Sequence, residues 1–529
     1  MANELTAEQV EELRNGIAAG KTDMARAYGR YFTGRKTLYT DVEEITEDNV
    51  LDVLTDIEVN QSANEVAINY LYRYYKGDQP ILYRTKEVRP EICNRILVNR
   101  ANEIVSFKTG YLMGEPVQYI SRGADGTILQ DLTEELAQLN NYMVSEYKSA
   151  KDKSLAEWFS ITGVAYRLVL PDNTFTKGAD FAPFEIYTLD PRTTGVVYNS
   201  GVGHRRMMGF TYVDLQDGGR VYSVYTDRQY FEITNGKITK SETHYLGDIP
   251  IIEYKANNAK LGEFEIVLPL LDAINTTASN RLDGVEQFVQ ALMMFKGVDI
   301  DDEAFANLRE QGGIKVPADG DVKYLIQDLN QSQTQTLVDD MYSTVLTIVG
   351  MPNRNGGSST SDTGAAVTMR DGWSDAEARA KMTAECFKES EGIFLKMVLK
   401  IMDKMAQVKI NPYNIEPHFG GYNHENNLQR SQILTTMLNN PQIDPKLAFE
   451  CCGLFVDPEM AYQQSRAYFE KVQEEELRKE QLLNESTAEN TDPGEYNPHR
   501  DLSQTENPSR TTSRKGQSRG SQVRQESRT

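Results

Sequence analysis

The spacing of hydrophobic residues changes twice along the chain, and each change predicts a different kind of secondary structure. Residues 5–75 are predicted to be mainly helical, and their start has the pattern of a capped amphipathic helix, with Thr6 as the cap and Val10 and Leu13 as apolar positions. Apolar residues at spacings of three and four predict a second helix from residue 90 to about residue 109. From about residue 111 to 255 the period becomes two, which is typical of β-strands, and a helix of about residues 132–160 interrupts this region.

The strands predicted in this middle region alternate polar and apolar side chains. One pair of short alternating runs is separated by Asn235-Gly236, and an Asn-Gly pair in that setting favours a tight β-hairpin. The clearest predicted strands are residues 165–170, 184–187, 220–225 and 230–233.

Beyond residue 255 the helical period returns. A first helix keeps an apolar face through about six turns. A second helix, from about 332 to 349, stops before Gly350-Met351-Pro352, because Gly and Pro end helices. A loop without apolar side chains follows at residues 353–363, then a long helix from about 365 to 408 and a last helical region from about 426 to 483. The apolar face of the first helix consists of Leu271, Ile274, Ala278, Leu282, Val285, Val289 and Leu292.

Composition adds limits on size, partners and order. A chain of 529 residues is too long to fold around one compact hydrophobic core, so we expect several domains or an elongated subunit. A general nucleic-acid binder presents a basic surface, whereas this chain has a net charge of −22, so its average field repels nucleic acid. Residues 484–529 hold four apolar residues, too few to offset the entropy of ordering, which predicts a disordered tail. From Arg500 onward this tail is basic, with seven Lys or Arg against three Asp or Glu.

We expect no targeting signal in this chain. Its first thirteen residues are polar and acidic, unlike a signal peptide, and no apolar run reaches the ~18 residues of a membrane span. The four cysteines form no CxxC pair, so we expect buried, reduced thiols in a protein made in a cytoplasm. They are Cys93, Cys386, Cys451 and Cys452.

The sequence contains no complete motif for catalysis, nucleotide binding or metal binding. Gly20-Lys21-Thr22 resembles the end of a phosphate-binding loop, but Gly16 stands one residue too close and the preceding segment is predicted as helix. The five histidines lack metal-ligand spacing, and no GxSxG nucleophile elbow is present. Asp301, Asp302 and Glu303 could hold a divalent ion, but a solvated acidic turn is the favoured interpretation. We therefore expect no catalytic residue, no metal and no cofactor.

A run of tyrosines precedes the first predicted strand region. Such rings could stack nucleic-acid bases, but little positive charge flanks them, which favours packing or a subunit interface. The run comprises Tyr70, Tyr72, Tyr74, Tyr75 and Tyr83.

Four stretches, by their order and spacing, carry a family resemblance. The first runs from Tyr74-Tyr75-Lys76-Gly77-Asp78-Gln79-Pro80-Ile81 through Asn94-Arg95-Ile96-Leu97-Val98-Asn99 to Gly110-Tyr111-Leu112-Met113-Gly114-Glu115-Pro116-Val117. The second and most specific starts at His244-Tyr245-Leu246-Gly247-Asp248-Ile249-Pro250 and continues through Asn257-Asn258 and Gly262-Glu263-Phe264-Glu265 to Leu270-Leu271-Asp272-Ala273-Ile274-Asn275. The third is Met351-Pro352 with the polar loop and Thr363-Gly364-Ala365-Ala366, and the fourth is Pro441-Gln442-Ile443-Asp444-Pro445 with the helices after it.

Together these stretches cover roughly residues 65 to 475 and resemble the portal, or head-to-tail connector, proteins of tailed bacteriophages. The resemblance is greatest to the type found in siphophages of Gram-positive hosts. Three parts of the chain depart from the family pattern. They are the residues before Asn60, the residues after Leu483 and the residue sequence of the polar loop.

The resemblance implies an α+β fold and an elongated portal subunit. Its parts would be a mixed α/β wing (1–265), a helical stem (266–296 and 330–350), a small α/β clip (297–329) and a tunnel loop (351–364). A long wing helix (365–408), a helical crown (409–483) and the disordered tail (484–529) would follow. Two helices bracketing a short segment could project it from the body, and copies placed head to tail could close a ring; two ordinary core helices around a surface excursion remain the alternative.

The resemblance also implies where function would lie. The tunnel loop would face DNA, with Arg354 contacting phosphate or, equally, forming an ion pair between subunits, and the acidic clip would dock partner proteins. The DNA-facing residues would be Asn353, Arg354, Asn355, Ser358, Ser359, Thr360 and Ser361. The docking residues would be Asp299, Asp301, Asp302, Glu303, Arg309, Lys315, Asp319 and Asp321.

The implied partners follow from the same family. They are eleven further copies in a ring of twelve, double-stranded DNA, the terminase large subunit, a head-completion adaptor, the major capsid protein and scaffold, with no membrane. The protein would be assembled in the host cytoplasm and reside at the portal vertex of the virion. Two other classes stay open: an ATPase or nuclease of the packaging module, and a head-morphogenesis factor that forms no ring.

Overall fold

The structure is a computed structural model that describes residues 34–121, 133–216, 218–289, 292–296, 321–325, 331–353, 372–419, 427–455 and 458–488. The chain divides into two units, residues 1–462 and 463–529. The second unit is helical where it is described, up to residue 488. Every site discussed below lies in the first unit.

Helices and strands both contribute to the described chain, which confirms the α+β class. The helices are α1 (Val50–Tyr75), α2 (Arg100–Leu112), α3 (Thr133–Ser145), α4 (Lys148–Thr162), α5 (Leu268–Val289), α6 (Gln331–Val349), α7 (Trp373–Met405), α8 (Asn427–Leu438), α9 (Pro445–Cys452) and α10 (Pro458–Ala488). Within the described ranges, none of them has the length and apolar character needed to cross a membrane.

The strands form sheets of different sizes. They are β1 (Leu38–Thr40), β2 (Gln118–Ser121), β3 (Val164–Pro171), β4 (Phe184–Leu189), β5 (Thr194–Asn199), β6 (Arg206–Asp214), β7 (Arg220–Tyr225), β8 (Gln229–Thr234), β9 (Lys237–Thr243), β10 (Ile251–Lys255), β11 (Leu292–Lys296), β12 (Asp321–Leu325) and β13 (Ile415–His418). Six of them form a sheet in the order β1-β5-β6-β7-β8-β9, in which β1 and β5 are parallel. A second sheet has the order β10-β3-β4, and two antiparallel pairs join β11 to β12 and β13 to β2.

The period-two predictions are confirmed. All four predicted strands are present as parts of β3, β4, β7 and β8. The Asn235-Gly236 turn connects β8 to β9, and both residues adopt positive φ, as a tight hairpin turn requires.

Several helix boundaries were predicted wrongly. The helix predicted from residue 90 begins only at Arg100, where Asn99 caps it, and residues 93–99 are neither helix nor strand. The single helix predicted over 132–160 is broken, because Tyr147 adopts a left-handed conformation (φ 52°) that ends the helical path between α3 and α4. The apolar face predicted to reach Leu292 stops with α5 at Val289, and Leu292 begins a strand.

Two further expectations need correction. The tail predicted to be disordered from residue 484 is helical to Ala488, because α10 continues into it, and the rest of the tail lies outside the described residues. The cysteines carry no disulfide, but Cys452 is buried whereas Cys451 is exposed and Cys93 and Cys386 are partly exposed.

Separate apolar clusters support the sheets and helices. One fills the space between the three-stranded sheet and α3, α4 and α7. Another packs α1 and α2 against α5 and α6, and a third packs the first half of α1 on the six-stranded sheet. The tyrosines of α1 belong to these contacts, since Tyr70 and Tyr74 are buried and Tyr72 stacks on Trp158 at 5.0 Å, which supports the packing interpretation.

A buried network of four charges crosses the first of these clusters. Lys148 Nζ lies 2.7 Å from Asp152 and 2.8 Å from Glu391, and Arg167 pairs with the same two carboxylates. The hydroxyl groups of Tyr119 and Tyr254 also donate to Glu391. Although burial opposes ionisation, Lys148 and Arg167 hold the pKa of Glu391 well below its usual range. The network joins α4, β3 and α7 through charges that would be unstable if unpaired.

A tightly packed loop precedes α5. Gly163 has φ +83°, and a Cβ atom there would lie 2.0 Å from the Lys260 carbonyl oxygen, so only glycine fits this approach. Arg35 closes the loop from the other side with a buried 2.7 Å ion pair to Glu265. These contacts fix the point from which α5 begins.

Replacing Glu391 with alanine tests the buried charge network. The Glu391→Ala change leaves two buried cations facing one carboxylate, so we expect a loss of about 3–5 kcal/mol in the free energy of unfolding, measured by chemical denaturation. The matched control is Glu389→Ala on the same helix, because Glu389 is 67% exposed and pairs with Lys255 at the surface; its change should stay within about 0.5 kcal/mol. Equal losses in both variants would contradict the role of the network.

Candidate functional site

The helix pair α5–α6 and the two strands between them form the first part of the candidate site. Leu271 and Ile274 of α5 share an apolar cluster with Val345 and Val349 at the end of α6. Toward the other end of the pair, Arg281 donates to Gln335 near the start of α6. The two helices are therefore antiparallel, and β11 and β12, which pair in antiparallel register, occur between them in sequence.

A segment that forms neither helix nor strand, residues 93–98, lies along α5; we call it the strap. Its amide groups reach polar side chains of the helix instead of a neighbouring strand. Asn94 N donates to Asp283 at 2.7 Å, Ile96 N to Ser279 at 2.9 Å and Val98 N to Asn275 at 2.8 Å.

These three hydrogen bonds form a ladder between the strap and α5. Its spacing follows from the geometries of an extended chain and of an α-helix. Alternate residues of an extended chain are about 6.6 Å apart, and residues four apart on an α-helix are about 6 Å apart along the axis. Every second strap amide can therefore meet every fourth residue of α5. This match explains why the strap is extended although its apolar residues have helical spacing.

Asp283 carries the charged end of the ladder. Burial opposes its ionisation, but hydrogen bonds from Lys86 and Asn94 outweigh that effect and lower the pKa of Asp283. Lys86 Nζ lies 2.9 Å and Arg84 Nη2 3.0 Å from the carboxylate. At the other end Asn275 donates to Gln79, whose own amide group donates to the Tyr74 carbonyl and to Asn99.

The ladder changes the predicted face of α5. Asn275, Ser279 and Asp283 are at most 3% exposed, whereas Leu282 and Val285, which were assigned to the apolar face, are 37% and 40% exposed. The signal in the sequence is three hydrogen-bonding residues at a strict spacing of four within an apolar helix.

Asp272, one turn before the ladder, is a buried carboxylate beside tyrosines. Burial raises its pKa to about 6, although Tyr74 donates to it at 2.9 Å. Because the raised pKa means that the folded state holds the proton more tightly than the unfolded chain, this group favours folding below the unfolded pKa. That contribution is lost as the pH rises toward 6.

Helix α2 contacts both helices that flank the segment 354–371, which lies outside the described residues. Tyr342 of α6 donates to Glu103 at 2.8 Å, and the Arg100 guanidinium lies 3.9 Å from the centre of the Tyr342 ring. At the other end of the segment, Trp373 of α7 lies 6.2 Å from the rings of Phe107 and Tyr111. Arg100, Glu103, Phe107 and Tyr111 form one face of α2, which we call the α2 platform.

A cleft of about 510 Å³ opens beside the α2 platform. Arg100, Glu103 and Phe107 form one wall, and Tyr342 and the chain from Met351 to Asn353 form the other. The chain thus enters the segment 354–371 along a partly polar cleft. The described residues contain no group of three or more side chains suited to hold a metal ion.

The structure places two of the predicted site residues. Asn353 lines the cleft, and Asp321 begins β12 in register with Lys296. The others lie outside the described residues: Arg354, Asn355, Ser358, Ser359, Thr360 and Ser361 of the predicted loop, and Asp299, Asp301, Asp302, Glu303, Arg309, Lys315 and Asp319 of the predicted clip. Gly20-Lys21-Thr22 also falls outside them.

Comparison with known families gives the class of the protein. Residues 57–482 match the family described as phage portal protein, SPP1 Gp6-like. The match includes the loop before α5, the strap, the antiparallel helix pair and α7. The chain belongs to this family of phage portal proteins, as the resemblance implied.

Individual relatives are more distant. The portal protein of Bacillus phage SPP1 is 22% identical over 286 residues, which cover 48% of this chain and 53% of that protein. The chain therefore spans about half the length of this curated relative. Among solved structures, the neck of an empty GTA particle, computed with C6 symmetry, aligns with a TM-score of 0.40 and 10% identity over 73% of this chain and 94% of the other.

The ladder is tested by removing its charged end. Asp283→Ala removes the acceptor for the Asn94 amide, so we expect the amides of Asn94, Ile96 and Val98 to exchange with solvent faster, by roughly tenfold or more. Hydrogen exchange with mass spectrometry of the strap peptide measures this directly.

A surface aspartate provides the control. Asp340 is exposed on α6, and Asp340→Ala should leave exchange in the strap unchanged. Ser279→Ala should release the Ile96 amide more than its neighbours. Unchanged exchange in Asp283→Ala would show that packing alone holds the strap.

Proposed function

We propose that this chain assembles into a ring that surrounds a channel at one vertex of a phage capsid. The observation that carries this proposal is the portal-family match over residues 57–482. Twelve copies would form the ring, and double-stranded DNA would enter the head through it during packaging and leave through it during ejection.

The helix pair and its strands support the proposed stem and clip. Two antiparallel helices with a two-stranded sheet between them in sequence can hold that sheet away from the rest of the subunit. The helix pairs of neighbouring copies can then form a tube. Because α5 ends at Val289, the change from helix to strand occurs before residue 297, the start that the resemblance gave for the clip.

The charge of the chain is compatible with passage of DNA. Each contact between a basic side chain and phosphate releases counterions and adds affinity, so a basic channel would hold DNA in place. A net charge of −22 per copy favours sliding over binding. The loop residues Asn353, Asn355, Ser358, Ser359, Thr360 and Ser361 would offer neutral hydrogen bonds to the passing duplex, and Arg354 would contact phosphate.

The partners are proposed from the same assignment. The clip, with eight acidic residues between residues 299 and 328, would dock the terminase large subunit during packaging and a head-completion adaptor afterwards. The outer surface would meet the major capsid protein and scaffold. The protein would assemble in the host cytoplasm and remain at the portal vertex of the virion.

The proposed role is structural rather than enzymatic. The family is one of portal proteins, which supports this assignment. A packaging ATPase or nuclease and a head-morphogenesis factor without a ring are the competing classes. Measurement of ATP turnover separates the ATPase from the portal, and the oligomeric state separates the monomeric factor from it.

Ring formation is the direct test of the proposed function. Purified full-length protein, imaged by negative stain and averaged down the symmetry axis, should show closed rings with a central hole. If the isolated protein is monomeric, the same imaging is repeated with capsid and scaffold proteins present. Monomers under both conditions would contradict the portal assignment.

Arg354→Ala tests the proposed phosphate contact. We expect rings to form normally while the rate of DNA packaging or ejection changes, because one phosphate contact is lost. The matched control is Arg370→Ala, the other arginine between residues 354 and 371. Loss of rings in Arg354→Ala would favour the ion pair between subunits, and unchanged packaging with intact rings would contradict the DNA contact.

A further inference from the structure

Helix α6 ends in a way that exposes its last carbonyl groups next to α7. Gly350 follows the helix with φ +64°, the left-handed conformation common after a helix end. The Met351 amide then donates back to the Leu346 carbonyl at 2.8 Å. This closing turn leaves the carbonyl of Ile348 free to accept from outside the helix.

Arg379 of α7 supplies that donor. Its Nη1 lies 2.7 Å from the Ile348 carbonyl oxygen, and Nη2 lies 3.5 Å from that of Thr347, a weaker contact. A cation at the C-terminus of a helix also interacts favourably with the helix dipole. Asp375, one turn earlier on α7, lies 3.3 Å from Arg379 Nε and steadies the side chain.

Gly350 is required for this contact as well as for the turn. A Cβ atom at position 350 would lie 2.2 Å from Arg379 Cδ and 2.3 Å from Nε. Any other residue there would displace the arginine. The glycine and the arginine therefore fit each other across the two ends of the segment 354–371.

We infer that Arg379 is a positioning residue that clamps the end of α6 to the start of α7 and so fixes the two ends of the segment 354–371 relative to each other. The α2 platform holds each end through aromatic and polar contacts, and Arg379 joins them directly. Its importance for DNA passage rests on the proposed function, in which this segment narrows the channel.

The clamp itself is tested in the full-length protein by limited proteolysis. The segment contains Arg354 and Arg370, which trypsin can cleave, and the fragments are identified by mass spectrometry. In Arg379→Ala we expect cleavage at these sites to be roughly five- to tenfold faster, because a charged hydrogen bond holding both ends is lost. Arg379→Lys, which keeps the cation and one donor, should be cleaved at an intermediate rate.

Lys381→Ala is the matched control for this experiment. Lys381 lies on the same helix, is 65% exposed and pairs with Glu377 at 2.9 Å, but its pair does not involve α6. This variant should be cleaved at the wild-type rate. Equal rates in Arg379→Ala and Lys381→Ala, with both folded by circular dichroism, would overturn the clamp. If Arg379→Ala does not fold, Arg379→Met, which keeps the apolar stem of the side chain and removes its donors, takes its place, and a wild-type rate there would overturn the clamp.

The consequence for DNA passage is measured separately. Heads assembled with Arg379→Ala should package less DNA than heads assembled with Lys381→Ala, although both variants form rings. Normal packaging together with fast cleavage would overturn the positioning role while leaving the clamp in place. Failure of the wild-type protein to form rings, both alone and with capsid and scaffold proteins, would instead contradict the proposed function, and the proteolysis result would stand on its own.

Discussion

The ladder between the strap and α5 is the interaction on which the buried polar face of α5 depends. Asn275, Ser279 and Asp283 are almost fully buried, and polar groups without partners at such positions would destabilise the fold. Their partners are backbone amides that have no strand to pair with. The strap amides and the buried side chains of α5 therefore satisfy each other's hydrogen bonds, and neither the extended strap nor the polar side of α5 would be stable alone. Through Gln79 and Asn99 the same hydrogen bonds continue to the ends of α1 and α2.

Buried charge has a similar role in the apolar cluster between the three-stranded sheet and α7. Glu391 lies in the middle of a helix of 33 residues, and it reaches α4, β2, β3 and β10 through its ion pairs and hydrogen bonds. Such a network adds little stability compared with apolar packing, but it tolerates few alternative arrangements, because any shift leaves a charge unpaired. Helix α7 is thus held in register near its middle by the network and near its start by Trp373 and Arg379.

Patterns that depend on neighbouring residues could be read from the sequence, and patterns that depend on distant partners could not. The Asn235-Gly236 hairpin and the end of α6 at Gly350 follow from local backbone preferences, and both were predicted. The strap was predicted as helix, because Ile92, Ile96 and Leu97 have helical spacing and the acceptors on α5 are about 180 residues away in sequence. The loop and clip residues were named from family resemblance alone, and of these the structure places Asn353 and Asp321.

The ladder also has a mechanical consequence. The strap and α5 lie side by side, so a force along the helix axis loads all three hydrogen bonds at once, in shear. A force that lifts the strap from one end would instead break them one at a time. The joint is therefore stiff against sliding of α5 and compliant against peeling of the strap from Asn94.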